Sequence, residues 1–217
     1  MIKKRVAVLI SGRGSNMAAL IAAAKDETFP AAIVLVLSNR PGAAGLATAR
    51  DRGIETMVVD HAVYGRDREA FERAMQERLE AHRVELVCLA GFMRLFTPWF
   101  VGRWQGRMIN IHPALLPAFK GLQTHQQALA AGVKIHGASV HFVVSDMDAG
   151  PIIAQGAVAV RDDDTIATLA ERVLAIEHRI YPAALALLAA DRITIVDGRC
   201  RIEGAAGGSG HLIVPEI

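Results

Sequence analysis

The chain has few cysteines, little net charge and no long apolar run. Its 217 residues include 2 cysteines, Cys88 and Cys200, which lie far apart without a CxxC pair and so argue against a disulfide framework or a zinc site. The formal net charge is only +2, and basic residues are interspersed with acidic ones. That balance does not favour a nucleic-acid duplex or an anionic membrane as partner. We therefore expect small-molecule partners and a reducing, cytoplasmic location.

The apolar runs are too short for targeting or membrane insertion. The amino terminus is basic and then apolar, but the run at residues 6–10 is too short for the hydrophobic region of a signal peptide. No other run approaches the length of a membrane-spanning helix. With 52% hydrophobic residues, a chain of this length can bury one sizeable core but is short for two domains. We expect one soluble domain.

Short apolar runs alternate with helical patterns over the first half of the chain. The runs at residues 5–10, 33–37, 54–59, 86–90 and 108–111 are typical of strands buried on both faces. Helical patterns lie between them at residues 16–25, 43–52, 66–83 and 98–104. This alternation predicts right-handed crossovers and a parallel sheet.

The pattern changes after Gly121. A helix is predicted near residues 124–131, followed by strand-like runs at 137–144 and 151–160 that form an antiparallel extension. Residues 165–190 predict a long helix, interrupted or kinked near Pro182. The fold class is then α/β, with a single Rossmann-like domain over residues 1–204. Its sheet is twisted and mostly parallel, with helices on both faces and an antiparallel C-terminal extension. Residues 205–217 are expected to form a flexible tail.

The first candidate binding element is the loop SGRGSN at residues 11–16. It follows the first strand, and ligands of open α/β sheets gather at the carboxyl ends of the strands. Glycines let the backbone approach an anion, and Ser15 or Asn16 can cap a helix whose free N–H groups favour a phosphate. The loop lacks the lysine of a Walker A motif and the GxGxxG spacing, which favours a phosphomonoester or mononucleotide. An ordinary capped turn is the alternative.

The second candidate element is NIHPALLPAFKG, residues 110–121. Asn110 and His112 flank Ile111, so strand geometry places their side chains on one face and Ile111 on the other. Pro113 and Pro117 favour a stiff loop after them. An amide beside a protonated imidazole suits an oxyanion that develops on an acyl carbon. The alternative is an asparagine that closes a turn next to a loop histidine with ordinary partners.

The third candidate element is the turn SDMDAGP at residues 145–151. Its carboxylates, Asp146 and Asp148, are usually solvated or bonded to their own backbone in such a turn. If Asp148 faces His112, its charge favours the cationic imidazole.

Three further groups of residues give less specific indications of function. His125, His136 and His141 match no zinc signature, so no metal is expected. The segment GFMRLFTPWF, residues 91–100, follows the fourth strand and is either ordinary core or the wall of a flat, partly apolar ligand such as a pterin, with Arg94 at its edge. The charges of residues 66–83 are typical of a solvated helix face.

Five segments together resemble the folate-dependent glycinamide ribonucleotide formyltransferases of purine synthesis. They are RVAVLISGRGSN, LAGFMRLFTPWF, NIHPALLPAFKG, HGASVHFVVSDMDAGP and EHRIYP, and they span nearly the whole chain in this order. The resemblance implies transfer of a formyl group from 10-formyltetrahydrofolate, as co-substrate, to the amine of 5′-phosphoribosylglycinamide. It implies no metal, and a monomer or homodimer.

The resemblance also implies roles for individual residues. The catalytic residues would be Asn110, His112 and Asp148. Substrate-binding residues would be Gly14, Ser15, Asn16 and Glu177. Folate-binding residues would be Arg68, Met93, Arg94, Leu95, Phe96, Asn110, Val144, Ser145, Asp146, Met147 and Asp148. The family often has DGGP where this chain has DAGP, so Ala149 matters if a positive φ is required there.

The implied mechanism is direct acyl transfer without an acyl-enzyme. The amine attacks the formyl carbon, His112 and Asn110 stabilise the oxygen, and Asp148 supports the histidine and relays a proton through water. Formyltetrahydrofolate deformylase and methionyl-tRNA formyltransferase share parts of this pattern, but they generally add an N-terminal regulatory domain or a C-terminal tRNA-binding domain. A noncatalytic nucleotide sensor needs only SGRGSN and leaves the three catalytic candidates unexplained.

Overall fold

A seven-stranded sheet forms the centre of the computed structural model, which describes residues 2–204. Its strands are β1 (Lys4–Ile10), β2 (Ala31–Ser38), β3 (Thr56–Val58), β4 (Leu86–Leu89), β5 (Met108–His112), β6 (Ile135–Phe142) and β7 (Ile152–Ala159). The strand order is β3-β2-β1-β4-β5-β6-β7. Pairs from β3 to β5 are parallel, whereas β5–β6 and β6–β7 are antiparallel. The predicted mostly parallel sheet with an antiparallel extension is confirmed.

In the part of the chain that the structure describes, six α-helices connect and cover the strands. They are α1 (Ser15–Ala24), α2 (Gly45–Arg50), α3 (Arg68–Ala81), α4 (Pro98–Arg103), α5 (Thr124–Ala130) and α6 (Ile166–Ala189). A short 3₁₀ helix spans His61–Tyr64 ahead of α3. The helix α6 runs unbroken past Pro182, so the predicted interruption does not occur. No helix within residues 2–204 is long and apolar enough to cross a membrane.

Side chains of successive strand residues enter two separate cores, one on each face of the sheet. On β1, Val6, Val8 and Ile10 pack with α1, α2 and α6, while Ala7 and Leu9 pack with α3 and α4. This period of two is what a fully buried parallel strand requires. The expectation of helices on both faces is therefore confirmed.

The strand order reverses direction between β1 and β4. The chain builds outward from β1 to β3 and then returns to place β4 on the other side of β1. Loops that leave the carboxyl ends of β1 and β4 therefore diverge, and the gap between them is the usual ligand site of an open α/β sheet. The loop at residues 11–16 and the segment at residues 91–97 both begin at this point.

A small hairpin after α6 was not predicted. Its strands are β8 (Ile193–Val196) and β9 (Arg199–Ile202), which pair antiparallel in a separate sheet. Asp197 and Gly198 connect them with φ values of 50° and 71°, as in the Asp-Gly turns that favour hairpins. That dipeptide is the sequence signal that could have revealed it. The tail predicted for residues 205–217 lies outside the described residues.

Gly150 occupies a position where a larger residue does not fit. A Cβ on Gly150 would lie 1.8 Å from the Phe142 carbonyl oxygen, and the next residue, Pro151, accepts a 2.9 Å bond from the Phe142 N–H. We expect Gly150→Ala to lower the free energy of unfolding by about 2–3 kcal/mol, because the strand ends must separate. Urea unfolding measures this, with Gly102→Ala as control, since a Cβ there meets nothing within 4 Å. An unchanged midpoint for Gly150→Ala would contradict the prediction.

Candidate active site

Gly14 shapes the loop between β1 and α1. It precedes the helix as its N-cap residue in the left-handed region, with φ 75°. A Cβ there would lie 3.1 Å from the Gly45 Cα, so both φ and space favour glycine. No side chain caps the helix, and the expectation that Ser15 or Asn16 does so is wrong, because both residues already lie within its first turn. The uncapped N–H groups are the feature that attracts an anion.

An open cavity of about 310 Å³ lies over this loop. It is lined by residues 11–16, by Arg40 after β2, and by residues 90, 91 and 93 after β4. Arg13 and Arg40 supply its positive charge, and both are exposed. Sequence reasoning identified neither arginine, although each follows directly on the end of a buried strand, where ligand-binding residues collect.

The side chain of Asn16 connects the loop to the long helix α6. Its Nδ2 donates a 2.6 Å hydrogen bond to Glu177 Oε2. Glu177 is only 6% exposed; burial raises the pKa of its carboxyl, and the bond from Asn16 lowers it in part. Two residues far apart in sequence, both expected to bind substrate, are therefore in direct contact.

The predicted alternation at the end of β5 is confirmed. Ile109 and Ile111 pack in the core on the α6 side, whereas Met108 packs in the opposite core. Asn110 and His112 consequently share the face of Met108. The hydroxyl of Tyr181 on α6 lies 3.2 Å from the Ile109 carbonyl oxygen and helps to fix this strand end.

The structure brings His112 and Asp148 together. His112 Nδ1 lies 3.5 Å from Asp148 Oδ2, and the Gly121 N–H donates to the same oxygen at 3.0 Å. On the other side of the ring, His112 Nε2 lies 3.0 Å from the Phe119 carbonyl oxygen. Because both ring nitrogens face acceptors, the doubly protonated imidazolium is the form that can donate to both. His112 is 5% exposed.

His141 completes the arrangement and was considered in the sequence only as a possible metal ligand. It lies opposite Asn110 in the β5–β6 ladder, and its Nε2 is 3.3 Å from Asn110 Nδ2 and 3.7 Å from Asp148 Oδ1. Its Nδ1 lies 2.9 Å from the Phe142 carbonyl oxygen. Burial lowers the pKa of His141, although that bond and the charge of Asp148 oppose the effect. A neutral ring with its hydrogen on Nδ1 can thus accept one N–H of Asn110 and orient the amide.

The segments expected to bind folate follow two different strands: residues 93–96 come after the carboxyl end of β4, whereas residues 144–148 come after β6 and reach His112 through Asp148. Met93 and Leu95 are 59% and 60% exposed, and Met147 is 52% exposed. The Phe96 ring stacks instead between Phe92 and Phe100 at centroid distances of 5.3 and 4.6 Å and is only partly exposed. Exposed apolar side chains of this size are typical of surfaces that bind a ligand.

The remaining residues of that group differ in exposure. Arg94, Val144 and Asp148 are partly buried, Ser145 and Asp146 are exposed, and Arg68 is exposed as the first residue of α3. The positive φ in the DAGP segment falls on Asp148, at 50°, and not on Ala149. The methyl group of Ala149 therefore causes no left-handed strain.

Within residues 2–204 no group of three or more His, Cys, Asp and Glu side chains is placed to hold a metal ion. His125 and His136 instead contact each other, with Nδ1 of His125 and Nε2 of His136 3.2 Å apart. Burial, followed by the charges of His125 and His112, lowers the pKa of His136 to about 4; a hydrogen bond to Pro113 opposes this.

This buried histidine predicts loss of stability in mild acid. In the unfolded chain His136 has an ordinary pKa of 6.5 and binds a proton below that pH, whereas in the folded protein it binds the proton only near pH 4. The free energy of unfolding should therefore fall as the pH drops from 6.5 to 4, by at most about 1.4 kcal/mol per pH unit. Urea unfolding at both ends of this range should show a larger decrease for the native chain than for His136→Gln. Equal decreases would contradict the assignment.

The fold is that of a single α/β domain whose candidate site residues Asn110, His112 and Asp148 converge at the carboxyl end of β5. The family model described as formyl transferase matches residues 4–185. The chain is 40% identical to phosphoribosylglycinamide formyltransferase of Escherichia coli (strain K12), covering 97% of this chain and 96% of that protein. It therefore belongs to the formyl transferase family, and it is an enzyme.

Other relatives extend the comparison. The chain is 50% identical to the trifunctional purine biosynthetic protein adenosine-3 of Bos taurus, covering 89% of this chain but only 19% of that protein's length. Among solved structures, glycinamide ribonucleotide transformylase 1 from Symbiobacterium toebii has a TM-score of 0.89 and 46% identity, covering 92% of this chain and 94% of that one. A formyltetrahydrofolate deformylase from Pseudomonas syringae has a TM-score of 0.85 but 27% identity, covering 92% and 66%.

Proposed function

We propose that this enzyme transfers the formyl group of 10-formyltetrahydrofolate to the amine of 5′-phosphoribosylglycinamide in purine synthesis. The observation that carries the proposal is the convergence of Asn110, His112 and Asp148 at the end of β5, on the same carboxyl edge of the sheet as the uncapped start of α1. An amide, an imidazole and a carboxylate suit the attack of an amine on an acyl group, and the loop before α1 suits a phosphate. Sequence identity of 40–46% to named glycinamide formyltransferases, against 27% to a deformylase, supports the amine as acceptor.

The amine attacks the formyl carbon directly, and negative charge collects on the formyl oxygen. Asn110 Nδ2 carries two N–H groups; one is directed to His141, and the other is available to this oxygen. Because His141 holds the amide in place before substrate arrives, the donor needs little reorganisation in the transition state.

His112 is the second donor to the formyl oxygen. In the structure its Nε2 is occupied by the Phe119 carbonyl, so the formyl oxygen takes the place of that carbonyl when substrate binds. Asp148 stabilises the imidazolium through Nδ1 and, by way of water, accepts the proton that the amine loses. The bond from the formyl carbon to the folate nitrogen then breaks, that nitrogen takes up the proton that the amine lost, and the product amide and tetrahydrofolate leave without a covalent enzyme intermediate.

The two substrates occupy neighbouring parts of the same edge. The phosphate binds at Gly14, Ser15 and Asn16, where Arg13 and Arg40 add positive charge, and Glu177 faces the glycinamide portion. The folate binds between Arg68, residues 93–96 and residues 144–148. Residues 1–204 act as one catalytic domain, as a monomer or homodimer.

Product formation from purified protein tests the proposal. Absorbance of the folate product is followed with 10-formyltetrahydrofolate in the presence and absence of 5′-phosphoribosylglycinamide. Product that depends on the glycinamide nucleotide is the expected result. Equal product in both mixtures would identify a hydrolase, and no turnover in either, with binding of the nucleotide retained, would identify a sensor.

A further inference from the structure

A buried carboxylate on α3 accepts two hydrogen bonds from the segment that follows β4. Glu72 is 1% exposed. The Thr97 N–H donates to Glu72 Oε1 at 2.6 Å, and the Thr97 hydroxyl donates to Oε2. No lysine, arginine or histidine of the described residues lies within ion-pair distance of Glu72. Burying a carboxylate is costly, so its two hydrogen bonds to one residue must hold that residue firmly.

The Thr97 side chain contacts Glu72 and does not cap its own helix. It is the N-cap residue of α4, followed by Pro98 at the first helical position, yet its side chain makes no capping bond. A threonine N-cap ordinarily bonds the free N–H groups of its own helix and stabilises it by about 1 kcal/mol. Here the hydroxyl donates to Glu72 instead, so Thr97 connects the start of α4 to α3 and does not cap α4.

The other end of the segment is fixed from the phosphate side. The Met93 N–H donates to Ser11 Oγ at 2.8 Å, and Ser11 Oγ donates to Asn39 Oδ1 at 2.6 Å. Residues 93–97 are thus attached at both ends by buried or partly buried side chains. Between these attachments Met93 and Leu95 remain more than half exposed, which is unfavourable in water unless a ligand covers them.

We propose that Glu72 is a positioning residue of the folate site. Acting through Thr97, its carboxylate sets the position of residues 93–96 relative to α3. Arg68 lies four residues before Glu72, on the same helix face, so one contact aligns both sides of the folate site. The inference rests on the proposed function and deepens it, because it assigns the folate subsite a support outside the residues that touch the ligand.

Substitutions of Thr97 and Glu72 test this role. Thr97→Val and Glu72→Ala should raise the KM for 10-formyltetrahydrofolate about tenfold, with KM for the glycinamide nucleotide and kcat nearly unchanged. Thr97→Ser keeps the hydroxyl and should restore the native KM. Glu77→Gln, an exposed carboxylate on the same helix, is the matched control.

Several outcomes separate this inference from others. Parallel increases in both KM values, together with a lower unfolding midpoint, would show that Glu72 only stabilises the fold and would overturn the proposal. An unchanged folate KM in Thr97→Val would overturn it as well. If the native chain transfers no formyl group to the glycinamide nucleotide, the proposed function fails first, and anaerobic calorimetry with tetrahydrofolate then decides whether Glu72 supports a folate site: equal affinity in native chain and Thr97→Val, or no binding to either, overturns the inference.

Discussion

His112→Ala should reduce the turnover number of formyl transfer by about 10²–10⁴-fold, with little change in the KM of either substrate. In the proposed mechanism His112 donates to the formyl oxygen mainly as negative charge develops there, so its loss should affect the transition state more than the bound substrates. His112 is held between Asp148 and the Phe119 carbonyl, which fixes the ring before substrate arrives. Steady-state kinetics with both substrates varied measures the effect.

A histidine remote from this edge serves as the control. His82 ends α3 and contacts Glu55 at 3.1 Å, near the start of β4 and away from the carboxyl edge. His82→Ala should leave turnover unchanged. Near-normal turnover in His112→Ala would remove His112 from the mechanism, and a lower unfolding midpoint in that variant would require correction for the folded fraction.

Buried strands were the most predictable part of the fold. Every predicted strand from β1 to β5 is present, with ends that differ by two residues or fewer, because a strand covered on both faces must be apolar along its whole length. The β8–β9 hairpin was not predicted, because its strands are not buried. It is short and largely exposed, so its composition carries little trace of burial, and only its Asp-Gly turn marks it.

Site features that depend on local sequence could be predicted, whereas those that depend on contacts between distant segments could not. The shared face of Asn110 and His112 follows from the two-residue period of a strand, and the sequence predicts it. The contact of His141 with Asn110 depends on the register between β5 and β6, which no local pattern specifies. The Phe119 carbonyl is a backbone group, and the sequence gives no indication of where such an oxygen points.

The loop at residues 11–16 shows how one backbone angle changes an interpretation. Ser15 and Asn16 are good N-cap residues by type, and sequence alone favours them as caps. Gly14 adopts the left-handed conformation and starts the helix one residue earlier than predicted. The Asn16 side chain instead donates a hydrogen bond to Glu177, the other polar residue that we propose contacts the substrate.

Asp148→Asn should lower the turnover number by about 10²–10³-fold. The asparagine oxygen can still accept the bond from the Gly121 N–H, so the loop should keep its shape while the charge beside His112 is lost. Asp162→Asn, which removes a 94% exposed side-chain carboxylate, is the control and should leave the turnover number unchanged. Native-like turnover in Asp148→Asn would show that the carboxylate charge is not needed.

A double-mutant cycle separates the two roles assigned to Asp148. The part of its effect that stabilises the imidazolium can exist only while His112 is present, whereas proton transfer from the amine through water does not require the ring. We expect Asp148→Asn to reduce turnover at least about tenfold less in the His112→Ala background than in the native chain, because His112 Nδ1 lies 3.5 Å from the Asp148 carboxylate and its charge acts on that ring. An equal loss in both backgrounds would mean that Asp148 acts on the amine proton alone and does not act through His112.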